Sequence, residues 1–386
     1  MKKIAKLSLV ASLAVAGLTT TVSADSLAQA FADAKVKGEI KSLYFQKEKE
    51  SGADAKSSIW SNGGNLSLTT GSYYGLKAGV TFQTAHVGNI DDEAGNYAKD
   101  MDVSGSVMSQ AFLSYGIENT TVKVGRQYIK TRLVAGSGSR ILKQSFEGIV
   151  LANTDLPQTT LVVAYVDKYQ NRTDLNGNVP KFDQAGDGAY TIYAKNKSID
   201  NLTLEAQYLQ AKPENGSLDD DAKIFYAQAA YKLSPITLEV QTYQSDNGAA
   251  GNVETKNKEY GVKLSGKFGG FSAAAAYTTI DSGAEIESGI GSGADEIFTA
   301  APISSGNYDA QTDAYKLDLG YKFGNGLGLS ASYTDWETDG GDDSSETNIT
   351  AKYKFNKNLS TKIMYSTFGG DYSYDYRSRV YLSYKF

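Results

Sequence analysis

Beyond Ala34 the apolar and polar positions alternate, and the alternation comes in blocks. From about Lys37 onward the chain reads as stretches of roughly ten residues in which every second position is apolar or aromatic, the pattern of a strand with two unlike faces. Helical periodicity is essentially absent past Ala34. The stretches fall at 38–48, 63–71, 74–86, 108–117, 120–127, 146–153, 159–168, 188–197, 201–212, 222–233, 236–245, 257–268, 270–280, 312–323, 327–336, 346–355, 359–368 and 376–386, eighteen in all.

The connections between them alternate in length. Short turns fall at Ser72-Tyr73, Glu118-Asn119, Asp155-Leu156-Pro157, Asp200, Ser234-Pro235, Gly269, Asn325-Gly326 and Asn356-Lys357-Asn358, with turn-forming chemistry or close to it. Between them lie long polar links at 49–62, 87–107, 128–145, 169–187, 213–221, 246–256, 281–311, 337–345 and 369–375. Short and long connections in strict alternation predict an all-β fold: a transmembrane antiparallel up-and-down barrel of 18 strands, with short periplasmic turns, long outer loops and both termini periplasmic. Merging two of the weaker stretches gives the alternative of 16.

A second repeat sets the direction of travel. Strands predicted to descend end in Tyr231-Lys232-Leu233, Tyr321-Lys322-Phe323, Tyr353-Lys354-Phe355 and Tyr384-Lys385-Phe386, with Gly266-Lys267-Phe268 as a variant. On a two-residue period the aromatic pair faces one way and the lysine the other. In a barrel, Tyr231, Tyr321, Phe323, Tyr353, Phe355, Tyr384 and Phe386 form an interfacial girdle toward lipid, while the lysines face a wet lumen. An aromatic sandwich core explains the tyrosines less well, because a buried hydroxyl needs a partner. In the last strand Val380, Leu382, Tyr384 and Phe386 fall on the lipid side, and Arg377, Arg379, Tyr381, Ser383 and Lys385 on the other.

Composition removes chemistry from this picture. Among 386 residues there is no Cys and one His, with 27 Tyr, 39 Gly and 5 Pro. Disulfides, thiolate metal sites and thiol nucleophiles are excluded, and so is a multi-histidine metal site. A catalytic triad on His86 would need an ordered Ser and Asp that nothing identifies, so the chain reads as a non-enzyme with an isolated surface histidine. Asp339-Gly340-Gly341-Asp342-Asp343 and Asp219-Asp220-Asp221 lack the ligand spacing of an EF-hand and read as solvated loops; no metal and no cofactor is assigned.

Residues 1–24 read as a secretory signal, with Lys2, Lys3 and Lys6, an apolar run from Leu7 to Leu18, and the small-residue site Val22-Ser23-Ala24. The 12-residue apolar run falls short of the ~20 residues a spanning helix needs. Removal changes the net charge from −6 to −9, which disfavours nucleic acid as a partner. Residues 25–36 read as a periplasmic lead-in that includes a short helix with Leu27 and Phe31 four apart, and 37–386 as the barrel. The expected location is the outer membrane, among its lipid and lipopolysaccharide.

The run Val124-Gly125-Arg126-Gln127 … Gly138-Ser139-Arg140-Ile141-Leu142-Lys143-Gln144-Ser145-Phe146-Glu147-Gly148 resembles the corresponding stretch of the OprD-like porins of Gram-negative outer membranes. The resemblance implies that the loop after the fifth strand, about 128–145, folds into a pore and narrows it. Gly138, Ser139, Arg140, Gln144, Ser145 and Gly148 carry over from the family motif. Where the family typically has a proline-containing run, this chain reads Lys130-Thr131-Arg132-Leu133. The closing Phe386 resembles the C-terminal signature of outer-membrane barrels, which implies contact with the barrel-insertion machinery. A homotrimer is an expectation by analogy with porins.

Charge placement points the same way. Four of six arginines lie between 126 and 172; five cations and no acid run from Arg126 to Lys143, whereas seven acids and no cation lie between Lys267 and Lys316. Cations inside a narrow low-dielectric lumen concentrate anions, and facing acids set a transverse field. Arg132, Arg140, Lys143, Arg377 and Arg379 are the candidate lumen cations; the alternative places them in solvated loops. Parity leaves Arg126 ambiguous, because Lys123 and Gln127 share one face and Arg126 falls on the other. The expected function is a passive, size- and charge-selective channel for small hydrophilic solutes and ions. The family resemblance adds carboxylates, amino acids and short peptides. A structural or adhesive barrel with a plugged lumen is the alternative, and an outer-membrane barrel enzyme a third. The eyelet favours anions and the acidic outer loops favour cations, so selectivity stays open at this stage.

Overall fold

Strands with one apolar and one polar face are stable only when their ladders have no free edge in the bilayer, and closure into a barrel removes the edges. The computed structural model describes residues 24–48, 56–90, 104–174, 177–212, 221–248, 255–294, 296–304, 309–339, 341, 343–370 and 375–386. Of the signal segment read at 1–24, all but Ala24 lies outside them, as do Asp219, Asp220 and Asp342.

The strands are β1 (Lys35–Glu48), β2 (Lys56–Thr69), β3 (Leu76–Ile90), β4 (Gly105–Ile117), β5 (Thr120–Gln127), β6 (Ser145–Asn153), β7 (Thr159–Gln170), β8 (Asp183–Asn196), β9 (Leu202–Ala211), β10 (Ala222–Leu233), β11 (Ile236–Asp246), β12 (Lys256–Phe268), β13 (Phe271–Ile280), β14 (Thr312–Lys322), β15 (Leu327–Thr338), β16 (Asp343–Lys354), β17 (Leu359–Gly370) and β18 (Tyr376–Lys385). Each pairs antiparallel with its neighbours in chain order, and β1 pairs with both β2 and β18, so the 18-stranded sheet closes. The count is eighteen, as the alternation predicts. A short helix, α1 (Leu27–Ala32), precedes β1, with Ser26 as its cap accepting from the Gln29 amide at 3.1 Å.

Boundaries differ from expectation where polar residues occupy a strand. β2 starts at Lys56 rather than 63, because its outer half, Ser57-Ser58-Ile59-Trp60-Ser61-Asn62-Gly63-Gly64, lacks a clean alternation; the in-register ladder with β1, from Lys35 opposite Thr69 to Glu48 opposite Lys56, holds it extended. β8 likewise begins at Asp183, inside the expected link 169–187, through its pairing with Tyr169.

The two faces follow the sequence parity. On β18 Val380, Leu382 and Tyr384 are exposed outward, whereas Arg377, Arg379, Tyr381 and Ser383 are half-buried inward. Tyr231, Tyr321, Phe323, Phe355 and Phe386 are exposed too, whereas Tyr353 is half-buried. The buried apolar residues form no sandwich core. They cluster inside the barrel where two inward segments meet its wall: one group holds Leu133, Val134, Phe146, Leu209, Tyr226 and Ile286, the other Leu43, Phe45, Ile59, Ile141 and Leu142. Full burial of a side chain such as Leu133 or Leu142 contributes roughly 2 kcal/mol, so each segment is held by its apolar residues before any polar contact is counted.

One inward segment is the expected one, 128–144, between β5 and β6. The other is 281–304, after β13. The sequence reads it as part of an outer loop; the structure instead lays it along the inside of β11–β16. Tyr243 donates to the Glu287 carbonyl at 2.7 Å, Gln241 to the Glu296 carbonyl at 2.9 Å, and Lys316 to the Ala300 carbonyl at 2.6 Å. Polar wall residues supply donors to its carbonyls, which is what a polar segment needs in order to leave the surface.

Candidate functional site

The two inward segments meet backbone to backbone across the lumen. Ile290 N donates to Leu133 O at 2.8 Å, Ala135 N to Ile290 O at 3.0 Å, and Gly293 N to Ala135 O at 3.0 Å, with a parallel bridge between Val134 and Ile290. So close an approach leaves no room for side chains. A Cβ on Gly289 would stand 2.4 Å from Leu133 O, and one on Gly291 2.5 Å from Ala135 O; Gly291 also has φ +90, a conformation glycine adopts without strain. We refer to 128–144 and 281–304 as the first and second arms.

The motif residues sit where the arms join. The Gln144 side chain is buried; its Oε1 accepts from Ser137 N and Ser292 N, both at 2.9 Å, and its Nε2 donates to Asn171 Oδ1 and Ser292 Oγ, both at 3.0 Å. One amide therefore has its acceptor and both donors engaged, tying both arms to the segment after β7. Arg172 donates to Ser137 Oγ at 3.2 Å, Ser139 Oγ at 2.9 Å and Ser292 Oγ at 3.0 Å. Ser145 donates to Gln127 O at 3.1 Å and to Ser109 O, closing the base of the first arm. A Cβ on Gly148 would lie 2.0 Å from Tyr165 O, whereas one on Gly138 would meet only Lys143 carbons at ordinary contact distance.

Arg132 is a brace. Its Nε lies 2.9 Å from Glu205 Oε2 on β9 and its Nη1 2.6 Å from Glu296 Oε2 on the second arm. Glu205 is shared with Lys195 Nζ at 2.7 Å and the Tyr193 hydroxyl at 2.7 Å. Burial opposes the Arg132 charge, and the carboxylates of Glu296 and Glu205 more than offset it, raising its pKa above the ordinary value. Its charge is therefore neutralised locally, unlike that of a bare lumen cation.

The other candidates lie on the opposite side. Arg140 is half-buried on the first arm, with Lys41 Nζ 3.4 Å from its carbonyl. Lys143 is fixed through its backbone, N to Gln83 Oε1 and O to Gln83 Nε2, both 2.9 Å, and its ammonium lies 4.1 Å from the centre of the Tyr128 ring. Burial, then the charges of Lys130 and Lys41, bring its pKa down to about 8. Arg379 lies 5.0 Å from the Phe45 ring centre and Arg377 5.7 Å from that of Phe368. The sequence reading did not single out their neighbours: Lys362, 4.1 Å over Tyr381 and directly opposite Lys352, and Lys123, 3.8 Å over Phe112. Strand parity was the available signal, since each lies on the inward face of its strand.

Two kinds of wall result. From β8 to β12 inward lysines meet carboxylates, Lys195 with Glu205 and Lys263 with Glu239 at 2.9 Å. Around β16–β18 and across to β5, Lys362, Arg379, Lys123 and Lys143 rest on aromatic rings, and among the described residues none of these four has a carboxylate within ion-pair distance. A ring holds a cation in place without cancelling its charge as a carboxylate would.

Outside the constriction, Arg126 points outward to Glu147 at 2.9 Å and stacks on Phe182, which resolves its parity; His86 is exposed on β3. Among the described residues no group of three or more His, Asp or Glu is placed to hold a metal ion, and no helix is long and apolar enough to cross a membrane.

A sequence profile described as Gram-negative porin matches residues 10–373. No curated protein sequence matches the chain. Among solved structures, OccK3 (OpdO) of Pseudomonas aeruginosa superposes with a TM-score of 0.76 at 18% identity, covering 93% of this chain and 97% of its own. OccAB1 of Acinetobacter baumannii gives 0.76 at 18%, covering 92% and 97%. The outer membrane protein OpdK of P. aeruginosa gives 0.73 at 15%, covering 92% and 99%. At these identities the structures share the fold.

Proposed function

Because the chain belongs to the Gram-negative porin family and forms an outer-membrane channel for small solutes, we propose that it is a passive pore that prefers anions, small carboxylates foremost, with amino acids and short peptides passing through their carboxylate. The observation that carries this reading is the set of ring-supported, carboxylate-free cations: Lys362, Arg379, Lys123 and Lys143. Arg140 and Arg377 add to it by position. A guanidinium fork matches a carboxylate bidentately, and fixed charges on a low-dielectric wall raise the local concentration of counter-ions. The two arms set the diameter; the charges choose what fits through it, and no chemical step is involved.

The outward aromatics Tyr231, Tyr321, Phe323, Tyr353, Phe355, Tyr384 and Phe386 serve in this reading as the interfacial girdle, with lipid and lipopolysaccharide around them and Phe386 read by the insertion machinery. The mature chain begins near Asp25.

Reversal potential in planar bilayers under a KCl gradient tests the proposal. A unit charge roughly 5 Å from a passing ion in water is worth about 0.8 kcal/mol, or about a fourfold change in local anion occupancy. Lys362→Gln and Arg379→Gln should each move the reversal potential toward cation preference on that scale. A wild-type channel selective for cations, or variants indistinguishable from it, would overturn the anion reading; absence of any conductance would favour a structural barrel.

A further inference from the structure

Glu259 is the carboxylate that the constriction leaves unexplained. It stands on the inward face of β12, 0% exposed, beneath the second arm. A Cβ on its neighbour Gly261 would lie 2.7 Å from Glu259 Oε1, 2.9 Å from Gln241 Cγ and 3.1 Å from Phe298 Cδ2, so carboxyl, amide and ring converge on one spot. The Gln241 amide nitrogen spends its two hydrogens on Glu259 Oε2 at 3.3 Å and the Glu296 carbonyl at 2.9 Å. Among the described residues Glu259 Oε1 and Gln241 Oε1 are left buried with no partner.

The charged and titratable groups around this spot are engaged with one another. Glu296 of the second arm is bound to Arg132. Glu239 of β11 and Lys263 of β12 pair at 2.9 Å, and Lys263 also lies 4.6 Å over the Phe298 ring. Tyr243, opposite Glu259 on β11, donates to the Glu287 carbonyl, and Tyr226 of β10 donates to Gln228 Oε1 at 2.6 Å. From β13 the residue opposite Glu259 is the apolar Ile280. An ionised Glu259 would be a buried charge held by one long amide hydrogen bond and facing a second acceptor, which burial does not tolerate. A neutral carboxyl carries an O–H donor, and one proton satisfies both orphaned oxygens.

We propose that Glu259 is a positioning residue held in its protonated form, donating from Oε1 to Gln241 Oε1 and so fixing the amide that grips the Glu296 carbonyl and, through it, the second arm. When the proton leaves to bulk water, Glu259 Oε1 faces Gln241 Oε1 and the Phe298 ring with no donor of its own among the described residues, the amide turns, and the arm loosens. The constriction is therefore tight at neutral pH and slackens in alkali.

Infrared spectroscopy of the full-length protein in detergent tests the proton directly. At neutral pH the wild type should show a carboxylic-acid C=O stretch that Glu259→Gln lacks and that moves to lower frequency in D2O; a wild-type spectrum without such a band overturns the proposal. In Gln241→Leu the band should move to higher frequency as its acceptor is lost, and an unmoved band overturns the donor assignment even if the first variant fails to fold. Single-channel conductance, which rests on the channel reading as the infrared band does not, should rise with alkalinisation in the wild type relative to Glu259→Gln, which keeps every other titrating group; parallel behaviour of the two overturns the positioning role.

Discussion

Replacing Arg132 by Met keeps an unbranched apolar stem and removes the guanidinium that joins three parts of the constriction. Two ion pairs vanish, to Glu205 at 2.9 Å and Glu296 at 2.6 Å. Breaking a fully buried pair from one side costs about 3–5 kcal/mol, and an exposed pair about 0–1. This site lies between, with side-chain exposures of 28% for Arg132, 6% for Glu205 and 17% for Glu296. Glu205 keeps Lys195 and Tyr193, and Glu296 is the more exposed of the two carboxylates, so the loss is softened on both sides. The loss should therefore sit between the two ranges, about 2–3 kcal/mol, and it should fall on opening of the arms rather than on the barrel. At 1.4 kcal/mol per tenfold, that is roughly a 30- to 150-fold rise in amide exchange. Exchange measured by mass spectrometry on peptides covering 129–136 and 286–294 reads it, because the Ala135, Ile290 and Gly293 amides form the inter-arm bonds. Strand peptides should be unchanged, and Glu296→Gln in the Arg132→Met background should recover part of the loss. Unaltered exchange in those two peptides would refute the idea that Arg132 holds the arms together.

Lys143 supplies a pH signature: with its pKa lowered to about 8 by burial and by Lys130 and Lys41, it is charged below that value and neutral above it, so anion preference should fall between pH 7 and 9. Reversal potentials across that range check this, and Lys143→Gln should shrink the step; the same step persists in Glu259→Gln, which separates it from the change traced to Glu259. Gly291→Ala forces a Cβ to within 2.5 Å of Ala135 O at φ +90 and should cost about 1 kcal/mol or more, read as greater open-channel current noise and faster exchange at 286–294 with no change in strand protection.

What the sequence makes legible is what a two-residue period can carry. β18 shows why: with one neighbour on each side and two unlike media, every residue's face follows from parity, and Arg377 and Arg379 could be placed inward on that ground alone. β2 resists the same logic, since serines, asparagines and paired glycines suit either face and only the ladder to β1 holds them extended. Charge partners are harder still. Arg132 is visibly a cation in a basic run, yet Glu205 and Glu296 lie 73 and 164 positions away, and only the meeting of two arms brings them together. Lys362 and Lys263 are both inward lysines by parity; that one rests on Tyr381 and the other on a carboxylate depends on which strands happen to flank them. The inward course of 281–304 had a signal in Gly289, Gly291 and Gly293, because glycine at every second position lets two backbones touch, though the partner cannot be read from glycines.

The seam between β1 and β18 has a consequence for how the molecule comes into being. Gly38 and Phe386 exchange both backbone bonds at 3.0 Å, and ten register pairs run from Glu39–Lys385 to Glu48–Tyr376. Bringing together ends some 340 residues apart carries a chain-closure entropy of about 5 kcal/mol, which is recovered only when that ladder zips. Until then both terminal strands present open edges able to recruit any extended chain. Every C-terminal truncation that removes β18 thus yields an unsealed ribbon instead of a narrower pore, so the strand translated first must be kept apart from strangers until the one translated last arrives.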